Sequence, residues 1–569
     1  MSSVLIMLGM VVLYVIAYHT YGKFLAKKIF RLSPKNVCPS EAQRDDVDYV
    51  PTKKFILFGH HFTSIAGTGP IVGPAIGIIW GWVPALLWVL LGSIFMGGVH
   101  DLGALVVSLR NQGHSIGDVA DKYIGRRVQL MFMVIIMLGL WIVIAVFGLI
   151  IAIVFDIFPQ SVLPVFLQIP IAVWLGYQFY KKKSGYIIST ILALILLYSF
   201  VVLGAFVPFR LPEIFGVDPV GSWTIILLIY AYIASTLPVQ VLLQPRDFIN
   251  AYQLLLTMAL LAMGVLFTNP PMVAPSVNLA PAGAPSVWPM LFVIIACGAI
   301  SGFHALVSSG TSSKQCDKEP SALFVGYGSM LTEGMLAVFV ILACGAGIGL
   351  GLEHEGELLR GTEAFRQHYQ NWQAVQGMGS KIHAFVSGST NMVSKLGIPP
   401  QIIVTLMGVF IASFAATTLD TATRLQRYVV AECARSINLK FFTQKHAATA
   451  FAVITALILA FYNGTGKGAL VLWPLFGTCN QLLAGLSLLV ITVYLIRKKV
   501  TYGFTMIPMI FMFVMTSWAM KINLVNFYNQ KNWLLVFVGT IILILEIWII
   551  IETVILLLKN KGISQIHTN

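Results

Sequence analysis

Apolar stretches long enough to cross a bilayer recur along the whole chain, separated by short polar loops. A transmembrane α-helix needs about 20 consecutive apolar residues. Windows of that length predict an all-α polytopic membrane protein with about 15 transmembrane helices. The predicted crossings are residues 3–22, 55–81, 82–107, 128–155, 162–179, 186–207, 222–245, 251–268, 289–310, 321–350, 400–419, 447–462, 469–496, 503–519 and 533–558.

The crossing at 55–81 contains far more glycine and proline than a simple membrane anchor needs. Its sequence is FILFGHHFTSIAGTGPIVGPAIGIIWG. In an ordinary helix interior each glycine costs about 1 kcal/mol and each proline about 3 kcal/mol. Irregular backbone at membrane depth is tolerated only where protein buries it or where it lines a wet cavity. We therefore predict a helix broken at 67–70, a feature that marks transporter binding sites.

A second interrupted crossing is predicted at 222–245, where Ala-Ser-Thr-Leu-Pro occupies residues 234–238 near mid-depth. The two breaks fall in crossings that run in opposite directions, which indicates an inverted-topology repeat. The alternative is that Pro238 only kinks an ordinary membrane helix. The predicted organisation is an N-terminal transmembrane helix (1–22), a cytoplasmic basic segment (23–54), a first five-helix repeat (55–207), a second, inverted five-helix repeat (222–419) and C-terminal helices (420–569).

Composition and charge agree with a membrane protein. The chain has 569 residues, of which 58% are hydrophobic and 10% charged, whereas about 25% of a soluble domain is charged. The net charge of +14 would suit nucleic acid binding, but basic residues also collect in the cytoplasmic loops of membrane proteins. With the N-terminus outside and the C-terminus inside, 28 of the 36 Lys and Arg residues fall in inner loops. We therefore expect contact with membrane lipids and no nucleic acid partner.

The longest loop on the predicted outer side spans residues 351–399, within the second repeat. It carries Glu353, Glu355, Glu357 and Glu363, followed by an amphipathic run. Loops of this length are usually lids, binding loops or disordered segments. Two interpretations stay open at this point, a gate element and a passive cap.

Unwound backbone at the two predicted breaks would leave free N–H and C=O groups at the centre of the bilayer. The N-terminus of a half-helix favours an anionic group there, and free carbonyl oxygens favour a cation. Hydroxyl side chains beside the breaks would add hydrogen-bonding groups, although any one of them can instead bond to its own helix. The predicted substrate-binding residues are Ser64, Gly67, Thr68, Gly69, Ser235 and Thr236.

Ionisable side chains inside membrane helices are costly and are functional candidates for that reason. Histidine titrates near neutral pH and can pass protons. The alternative is that these side chains are satisfied packing contacts and buried ion pairs. The candidates for proton coupling are His60, His61, Asp101, His304 and Glu333. The hydroxyl-rich end of the crossing at 289–310 adds candidates for ion or gate contacts, namely Ser308, Ser309 and Thr311.

A metal site made of His60, His61 and His304 is disfavoured. Adjacent histidines on a helix diverge by about 100°, and neither an HExxH motif nor a Cys/His ligand spacing supports such a site. The sequence also contains no P-loop, nucleophile elbow or dinucleotide-binding motif. We therefore expect no metal, no cofactor and no enzymatic activity. A proton is the expected coupling ion, with Na⁺ as the alternative.

Six motifs resemble the carbon starvation protein A (CstA) family, in the same order and over nearly the whole chain. They are FGHHFTSIAGTGPIVGPAIG (58–77), LPVQVLLQPRDFINAY (237–252), ISGFHALVSSGT (300–311), GYGSMLTEG (326–334), LDTATRLQR (419–427) and LWPLFGTCNQLLAG (472–485). The resemblance implies a secondary transporter of the bacterial inner membrane, induced by nutrient limitation, that takes up peptides or pyruvate, the latter with protons. It also implies the fold of the amino acid–polyamine–organocation superfamily, whose core is an inverted five-helix repeat.

The residues and the resemblance together predict a proton-coupled importer of a small carboxylate-bearing nutrient, either pyruvate or a short peptide. Two other classes of function stay open. One is a membrane nutrient sensor that binds without transporting, and the other is an intramembrane metal-dependent enzyme.

Overall fold

The structure, a computed structural model, describes residues 1–182, 186–214 and 216–566. Backbone N–H and C=O groups find no water in a bilayer core, so a spanning segment has to pair them within a helix. The described chain is accordingly mostly helical. The α-helices are α1 Ser3–Ala17, α2 Pro39–Ala42, α3 Lys54–Ala66, α4 Gly69–Gly77, α5 Trp82–Gly92, α6 Gly98–Leu109, α7 Ile116–Tyr123, α8 Arg126–Ile157, α9 Val162–Tyr177, α10 Tyr186–Phe206, α11 Pro219–Thr236, α12 Leu243–Thr268, α13 Val287–Ile294, α14 Gly302–Gly310, α15 Ser329–Gly345, α16 Gly361–His368, α17 Trp372–Gln376, α18 Met378–Val393, α19 Pro400–Ser436, α20 Lys445–Ala460, α21 Ala469–Arg497, α22 Gly503–Asn529 and α23 Trp533–Ile566.

Short stretches of π-helix and 3₁₀-helix extend or join these α-helices. The π-helical stretches are Tyr18–Gly22, Leu25–Ile29, Ser93–Gly97, Gln178–Lys182 and Leu323–Gly328. The 3₁₀ stretches are Ile78–Trp80, Pro159–Ser161, Ser312–Lys314, Gly347–Leu350, Ser394–Leu396 and Lys440–Thr443. Strands β1 (Leu352–His354) and β2 (Glu357–Leu359) pair antiparallel, with His354 opposite Glu357.

The predicted all-α polytopic class is confirmed. Among the described residues, 12 helices are long and apolar enough to cross a membrane, or 13 when α3 and α4 count as one bent span. The remaining predicted crossings fall on shorter helices, α20 and the pair α13 and α14. Helix length therefore does not confirm the predicted number of about 15. The first span also runs further than predicted, from Ser3 to Ile29 instead of ending at residue 22.

The broken helix predicted at 55–81 is confirmed. α3 ends at Ala66, α4 begins at Gly69, and the two helix axes differ by 43°. The chain turns at Gly67, whose φ of +40° lies in the left-handed region that other residues rarely adopt. Pro70 then stands in the first turn of α4, where its missing N–H removes no helical hydrogen bond.

The second predicted break, inside 222–245, is wrong. α11 ends at Thr236 and α12 begins at Leu243, so Pro238 lies in the connection between two separate spans. A residue before proline is pushed out of the helical region, and Leu237 is extended with φ −71° and ψ 152°. The proline therefore ends a helix here and does not interrupt one within the membrane.

The second break instead separates α13 from α14, at residues 295–301. Gly298 in this segment has a φ of +88°. α13 packs against α4 and α14 packs against α3, so the two broken helices lie side by side and antiparallel. An inverted repeat requires this arrangement. The repeat itself, with boundaries 55–207 and 222–419, stays a prediction.

Two long helices, α8 and α19, pack along each other behind the first break. In their most apolar stretches 78% of the residues of α8 and 89% of those of α19 are buried, so both are internal helices and not lipid-facing ones. α3 packs on α19, and the α8 side chain Phe147 reaches Gly67. The first broken helix is thus held against a rigid internal surface.

Residues 23–29 of the predicted basic segment 23–54 belong to the first span, and the rest of the segment is paired to the chain just beyond the second broken helix. Val50 donates its backbone N–H to the carbonyl of Lys314 at 3.2 Å, and Thr52 donates to the carbonyl of Gln315 at 2.9 Å. Both carbonyls follow α14 directly. The segment is therefore an ordered part of the inner face.

Asp48 of this segment neutralises two arginines at the inner end of α19. Its carboxylate lies 2.7 Å from Arg424 Nη1 and 3.2 Å from Arg427 Nη2. The i,i+4 spacing of Asp420 and Arg424 suggests an ion pair within α19, but Asp420 pairs with Arg246 instead. Burial raises the pKa of Asp48, and the two guanidinium groups outweigh it and lower that pKa to about 2.

The predicted outer loop, 351–399, packs on the outer half of the first broken helix. It contains the β1–β2 hairpin and helices α16 to α18. Tyr369 donates its hydroxyl to the carbonyl of Ala75 at 2.7 Å, and the ring of Trp372 lies 5.4 Å from that of Trp80. The loop is therefore an ordered cover in the place that a gate would occupy.

Replacing Asp48 by asparagine should lower the thermal stability of the purified protein. Arg424 is buried and loses its counter-charge, which costs about 1–3 kcal/mol because Asp48 is itself partly exposed. The pKa of Asp48 lies below its usual value of 3.8, so its contribution is complete above about pH 4 and is lost as the pH falls towards 2. The difference in melting temperature between the wild type and Asp48→Asn should shrink over that range.

The matched control is Asp46→Asn. Asp46 pairs with Arg44 at 2.8 Å, but both side chains are more than half exposed, so the pair contributes little. Melting of both variants in detergent at pH 7 should show a lower melting temperature for Asp48→Asn than for Asp46→Asn. Equal melting temperatures for Asp48→Asn and Asp46→Asn would contradict the stabilising role of Asp48.

Candidate functional site

The two breaks contact each other directly. A Cβ on Gly69 would lie 2.4 Å from Cys297 Sγ, and a Cβ on Gly73 would lie 2.6 Å from the carbonyl oxygen of Ile294. Real Cβ atoms do not approach other atoms so closely, so this contact needs glycine at both positions. The beginning of α4 is thereby packed on the end of α13 and on Cys297 of the second break.

The first break is lined on its other side by hydroxyl groups of α19. Ser64 Oγ lies 3.1 Å from Thr421 Oγ1, and the Ser64 carbonyl accepts a hydrogen bond from Thr418 Oγ1 at 3.2 Å. A Cβ on Gly67 would lie 2.6 Å from Thr418 Oγ1. Thr68 is buried at the start of α4. Of the predicted substrate-binding residues, the structure therefore groups those at 64–69 around one polar break.

Ser235 and Thr236 do not reach this break. They end α11, and their hydroxyls donate to carbonyls of their own helix at 3.2 and 2.8 Å. The carbonyl of Ser235 accepts a hydrogen bond from Arg427. Arg427 lies nine residues beyond Thr418, which is about 14 Å along α19. These two residues were predicted to join the site because a break was expected inside 222–245. They lie outside the site because α11 ends at Thr236 and is not broken within the membrane.

Four ionisable side chains form a buried chain beside the second break, in which His304 Nε2 and Glu333 Oε2 make an ion-pair contact without a hydrogen bond. His100 Nδ1 lies 2.7 Å from one oxygen of Asp101, and the other Asp101 oxygen lies 3.0 Å from His304 Nδ1. His304 Nε2 lies 3.3 Å from Glu333 Oε2. Glu333 Oε1 accepts the backbone N–H of Gly298 at 3.1 Å. The chain therefore ends on the unwound backbone of the break.

His304 has a carboxylate at each ring nitrogen. A neutral imidazole offers one N–H donor and one lone pair, whereas an imidazolium offers two donors. Carboxylates of Asp101 and Glu333 on both sides therefore favour the imidazolium form. Asp101, His304 and Glu333 are all fully buried, so they form a candidate proton-binding cluster.

Cys297 joins the same cluster from the break. Ligand atoms of Cys297, His304 and Glu333 lie within 4.8 Å of one another, so these side chains are close enough to share a metal ion. Such binding would require the lone pair of His304 Nε2, which the imidazolium lacks. A metal and a proton would therefore exclude each other at this nitrogen.

His60 and His61 face different partners, as expected for neighbours on one helix. His60 Nδ1 lies 2.6 Å from Asp247 Oδ2, and His61 Nδ1 lies 2.7 Å from Ser312 Oγ. The second ring nitrogen of His61 has no partner within the described part of the chain. The structure therefore does not gather His60, His61 and His304 into one ligand set.

A second buried charge network continues from His60. Arg246 Nη2 lies 3.1 Å from Asp247 Oδ1, and Arg246 also pairs with Asp420. Tyr230 donates its hydroxyl to Asp420 at 3.0 Å. Sequence analysis missed this network because the predicted crossings 222–245 and 400–419 end just before Arg246 and Asp420, whereas both residues lie within α12 and α19. The sequence does contain a signal for this network, because ionisable residues directly beside apolar windows are costly and are candidates for a function.

The gate candidates Ser308, Ser309 and Thr311 do not form one site. Ser309 and Thr311 donate to carbonyls of their own helical segment at 2.7 and 3.1 Å. The hydroxyl of Ser308 is buried without a partner among the described residues. Ser108 Oγ of α6 contacts this stretch at two places, 3.0 Å from the carbonyl oxygen of Ser309 and 2.8 Å from Ser313 Oγ.

Two antiparallel broken helices, a polar break and a buried titratable chain inside an all-α polytopic fold define a secondary membrane transporter. Residues 2–519 match the family described as Carbon starvation protein CstA, and the chain belongs to this family. The family resemblance predicted from the six motifs is therefore confirmed.

Several relatives carry transporter names. The Peptide transporter CstA of Campylobacter jejuni is 32% identical, covering 93% of this chain and 81% of its own length. The Pyruvate/proton symporter BtsT of Escherichia coli is 29% identical, covering 93% of this chain and 83% of its own. The Peptide transporter CstA of Bacillus subtilis is 30% identical, with coverage of 91% and 90%. These names support the expectation of a transporter and not an enzyme.

Among solved structures, MhsT in complex with L-phenylalanine aligns with a TM-score of 0.46 at 13% identity. The alignment covers 82% of this chain and 99% of MhsT. A likeness at this level does not establish a common fold.

Gly69→Ala should impair uptake by forcing the two breaks apart. The new methyl group would lie 2.4 Å from Cys297 Sγ, and overpacking of this kind costs about 1–3 kcal/mol. We expect a loss of about tenfold or more in substrate uptake by proteoliposomes. Adding Cys297→Gly removes both clashing atoms and should restore part of the activity.

Gly9→Ala is the matched control, because a Cβ there meets no atom within 4 Å. Wild-type uptake by Gly69→Ala at equal protein content would show that the breaks are not in functional contact.

Proposed function

We propose that this protein imports pyruvate or small peptides across the bacterial cytoplasmic membrane together with protons, during carbon starvation. In this proposal the N-terminus lies outside and the C-terminus inside. One observation carries it: the buried chain from His100 to Glu333 ends on the backbone of Gly298, in the break that packs on the first broken helix. The names of two relatives, a peptide transporter and a pyruvate/proton symporter, support the two substrates.

The coupling step in this proposal is a change of charge at His304. When His304 is protonated, its imidazolium lies between Asp101 and Glu333 and offsets their repulsion. Loss of that proton leaves two carboxylates facing each other in a medium of low dielectric constant, which is strongly unfavourable. Glu333 also holds the N–H of Gly298. A change in the charge of the cluster therefore acts directly on the unwound backbone.

The substrate in this proposal binds at the first break, against Ser64, Gly67, Thr68 and Gly69. The N-terminus of α4 points its partial positive charge at this place. Pyruvate and a peptide both carry a carboxylate that such a helix end favours. The contact of Gly69 with Cys297 then links substrate binding to the proton-binding cluster.

His60 and His61 belong to the half of the first broken helix that leads to the predicted inner face. We assign the His60–Asp247 pair to the release of the proton on that side, because it connects to the buried charges of Arg246 and Asp420. His61 lies against Ser312 at the end of α14, where it responds to movement of the second broken helix.

Uptake of labelled pyruvate and of labelled di- and tripeptides into proteoliposomes, with and without an inward proton gradient, tests the proposal. The wild type should accumulate at least one substrate only with the gradient. His304→Gln and Glu333→Gln should lose gradient-driven accumulation, because the cluster can no longer exchange its proton. Both should keep measurable exchange of internal for external substrate.

His446→Gln is the control, because His446 is exposed and lies outside the proton-binding cluster. Gradient-driven accumulation by His304→Gln at the wild-type level would exclude the coupling role of His304. Binding of substrate to the wild type without any uptake would favour the sensor. Metal analysis of the same preparations tests whether Cys297, His304 and Glu333 hold an ion.

A further inference from the structure

Lys381 is a buried lysine in α18, a helix of the predicted outer loop. The residue is 4% exposed. Within the described part of the chain its amino group forms no ion pair and no hydrogen bond. The contact that remains is with the ring of Trp473, whose centre lies 5.4 Å from Nζ.

A buried lysine without a carboxylate partner is rare, because an ammonium group loses its hydration and gains no counter-charge. Two other deeply buried cations of this fold are paired: Arg246 with Asp247 and Asp420, and Arg424 with Asp48. The Trp473 ring offsets only part of the cost through a cation–π contact. Burial accordingly lowers the pKa of Lys381 to about 8, which still leaves the side chain mainly charged at neutral pH.

A row of aromatic rings leads from Lys381 to the first break. Trp473 stacks on Phe476 with 5.3 Å between ring centres, and Phe476 lies 6.2 Å from Phe147. Phe147 lies against Gly67, where a Cβ would be 3.1 Å from the ring. The amino group therefore lies at the outer end of a continuous row of side chains whose inner end is the break.

The elements around Lys381 belong to the closed outer side of the site. α18 packs against α4, the outer half of the first broken helix, and also against α8 and α19. Trp473 stands in the first turns of α21. We expect a solute that enters from the predicted outer side to pass close to these elements on its way to the break.

We propose that Lys381 binds the carboxylate of the incoming substrate at an outer station above the break. This inference rests on the proposed function, since it assigns an additional binding residue to the same transport path. A carboxylate supplies the counter-charge that the amino group lacks, and the neighbouring rings contact the apolar part of a small substrate. The recognised class is a small organic solute with a free carboxylate.

The test compares initial uptake rates of labelled pyruvate and labelled dipeptide for four proteins in proteoliposomes. Lys381→Met removes the charge and keeps an apolar stem, and Lys381→Arg keeps the charge. Lys395→Met is the matched control, because Lys395 is an exposed lysine of the same loop. We expect Lys381→Met to raise KM by about tenfold or more while the maximal rate changes little. Lys381→Arg and Lys395→Met should stay near the wild type.

Inhibition by free acids and by their uncharged amides gives a second readout. The wild type should prefer pyruvate over pyruvamide, and a dipeptide over its C-terminal amide. Lys381→Met should lose this preference, because the amides lack the charge that Lys381 recognises. A lysine with only a structural role would leave the preference unchanged.

Melting of the purified proteins separates recognition from folding. Lys381→Met should melt at or above the wild-type temperature without substrate, because an unpaired buried charge has been removed. Added pyruvate should raise the melting temperature of the wild type and not that of Lys381→Met. Lys381→Gln provides a second neutral variant should the methionine variant fold poorly.

The outcomes distinguish the inference from the proposed function. Wild-type uptake together with an unchanged KM and acid preference in Lys381→Met would overturn the role of Lys381 and leave the transport function standing. A wild type that takes up neither pyruvate nor peptides would overturn both.

Discussion

Two unwound backbone segments inside a membrane have to be shielded from lipid, and in this protein each shields the other. Every backbone N–H or C=O left unpaired in hydrocarbon costs several kcal/mol, so neither break is stable alone. Gly69 lies directly on Cys297, and Glu333 accepts the N–H of Gly298. Asn480 of α21 accepts the N–H of Phe303 at the start of α14. The other helices are arranged around these two segments that shield each other.

Because the breaks depend on each other, the charge of the cluster around His304 is coupled to the conformation of the unwound backbone at the second break. His304 lies between Asp101 and Glu333, and Glu333 is bonded to the backbone of the break. A buried cluster of this kind tolerates a change of charge only if its surroundings rearrange. The nearest element free to rearrange is the unwound segment itself, since it lacks the hydrogen-bond ladder that stiffens a continuous helix.

Both ends of the broken pair are covered in this structure, by different kinds of contact. On the predicted outer side the cover is the loop 351–399, with Tyr369 on Ala75 and the buried amino group of Lys381, which has no ion-pair partner among the described residues. On the predicted inner side it is the segment 23–54, held by charge-paired Asp48. Alternating access requires one cover to be released while the other stays closed. In the proposed function, substrate binding and a change of charge at the cluster of Asp101, His304 and Glu333 drive this exchange.

The sequence by itself determined the membrane class, the positions of most helices and the first break. Glycine and proline within an apolar stretch raise the free energy of a helix there, and this cost does not depend on how the rest of the chain folds. The same local reasoning was wrong about Pro238, which ends α11, and it did not find the break near Gly298. The sequence also named His304 and Glu333 as costly residues. Only the tertiary structure decided that they share a cluster with Cys297 and that Ser235 and Thr236 stay outside the site. It also decided that the lysine of α18 has no ion-pair partner within the described part of the chain. Those outcomes depend on which helices pack together, and contacts between residues far apart in the chain leave no periodic signal within it.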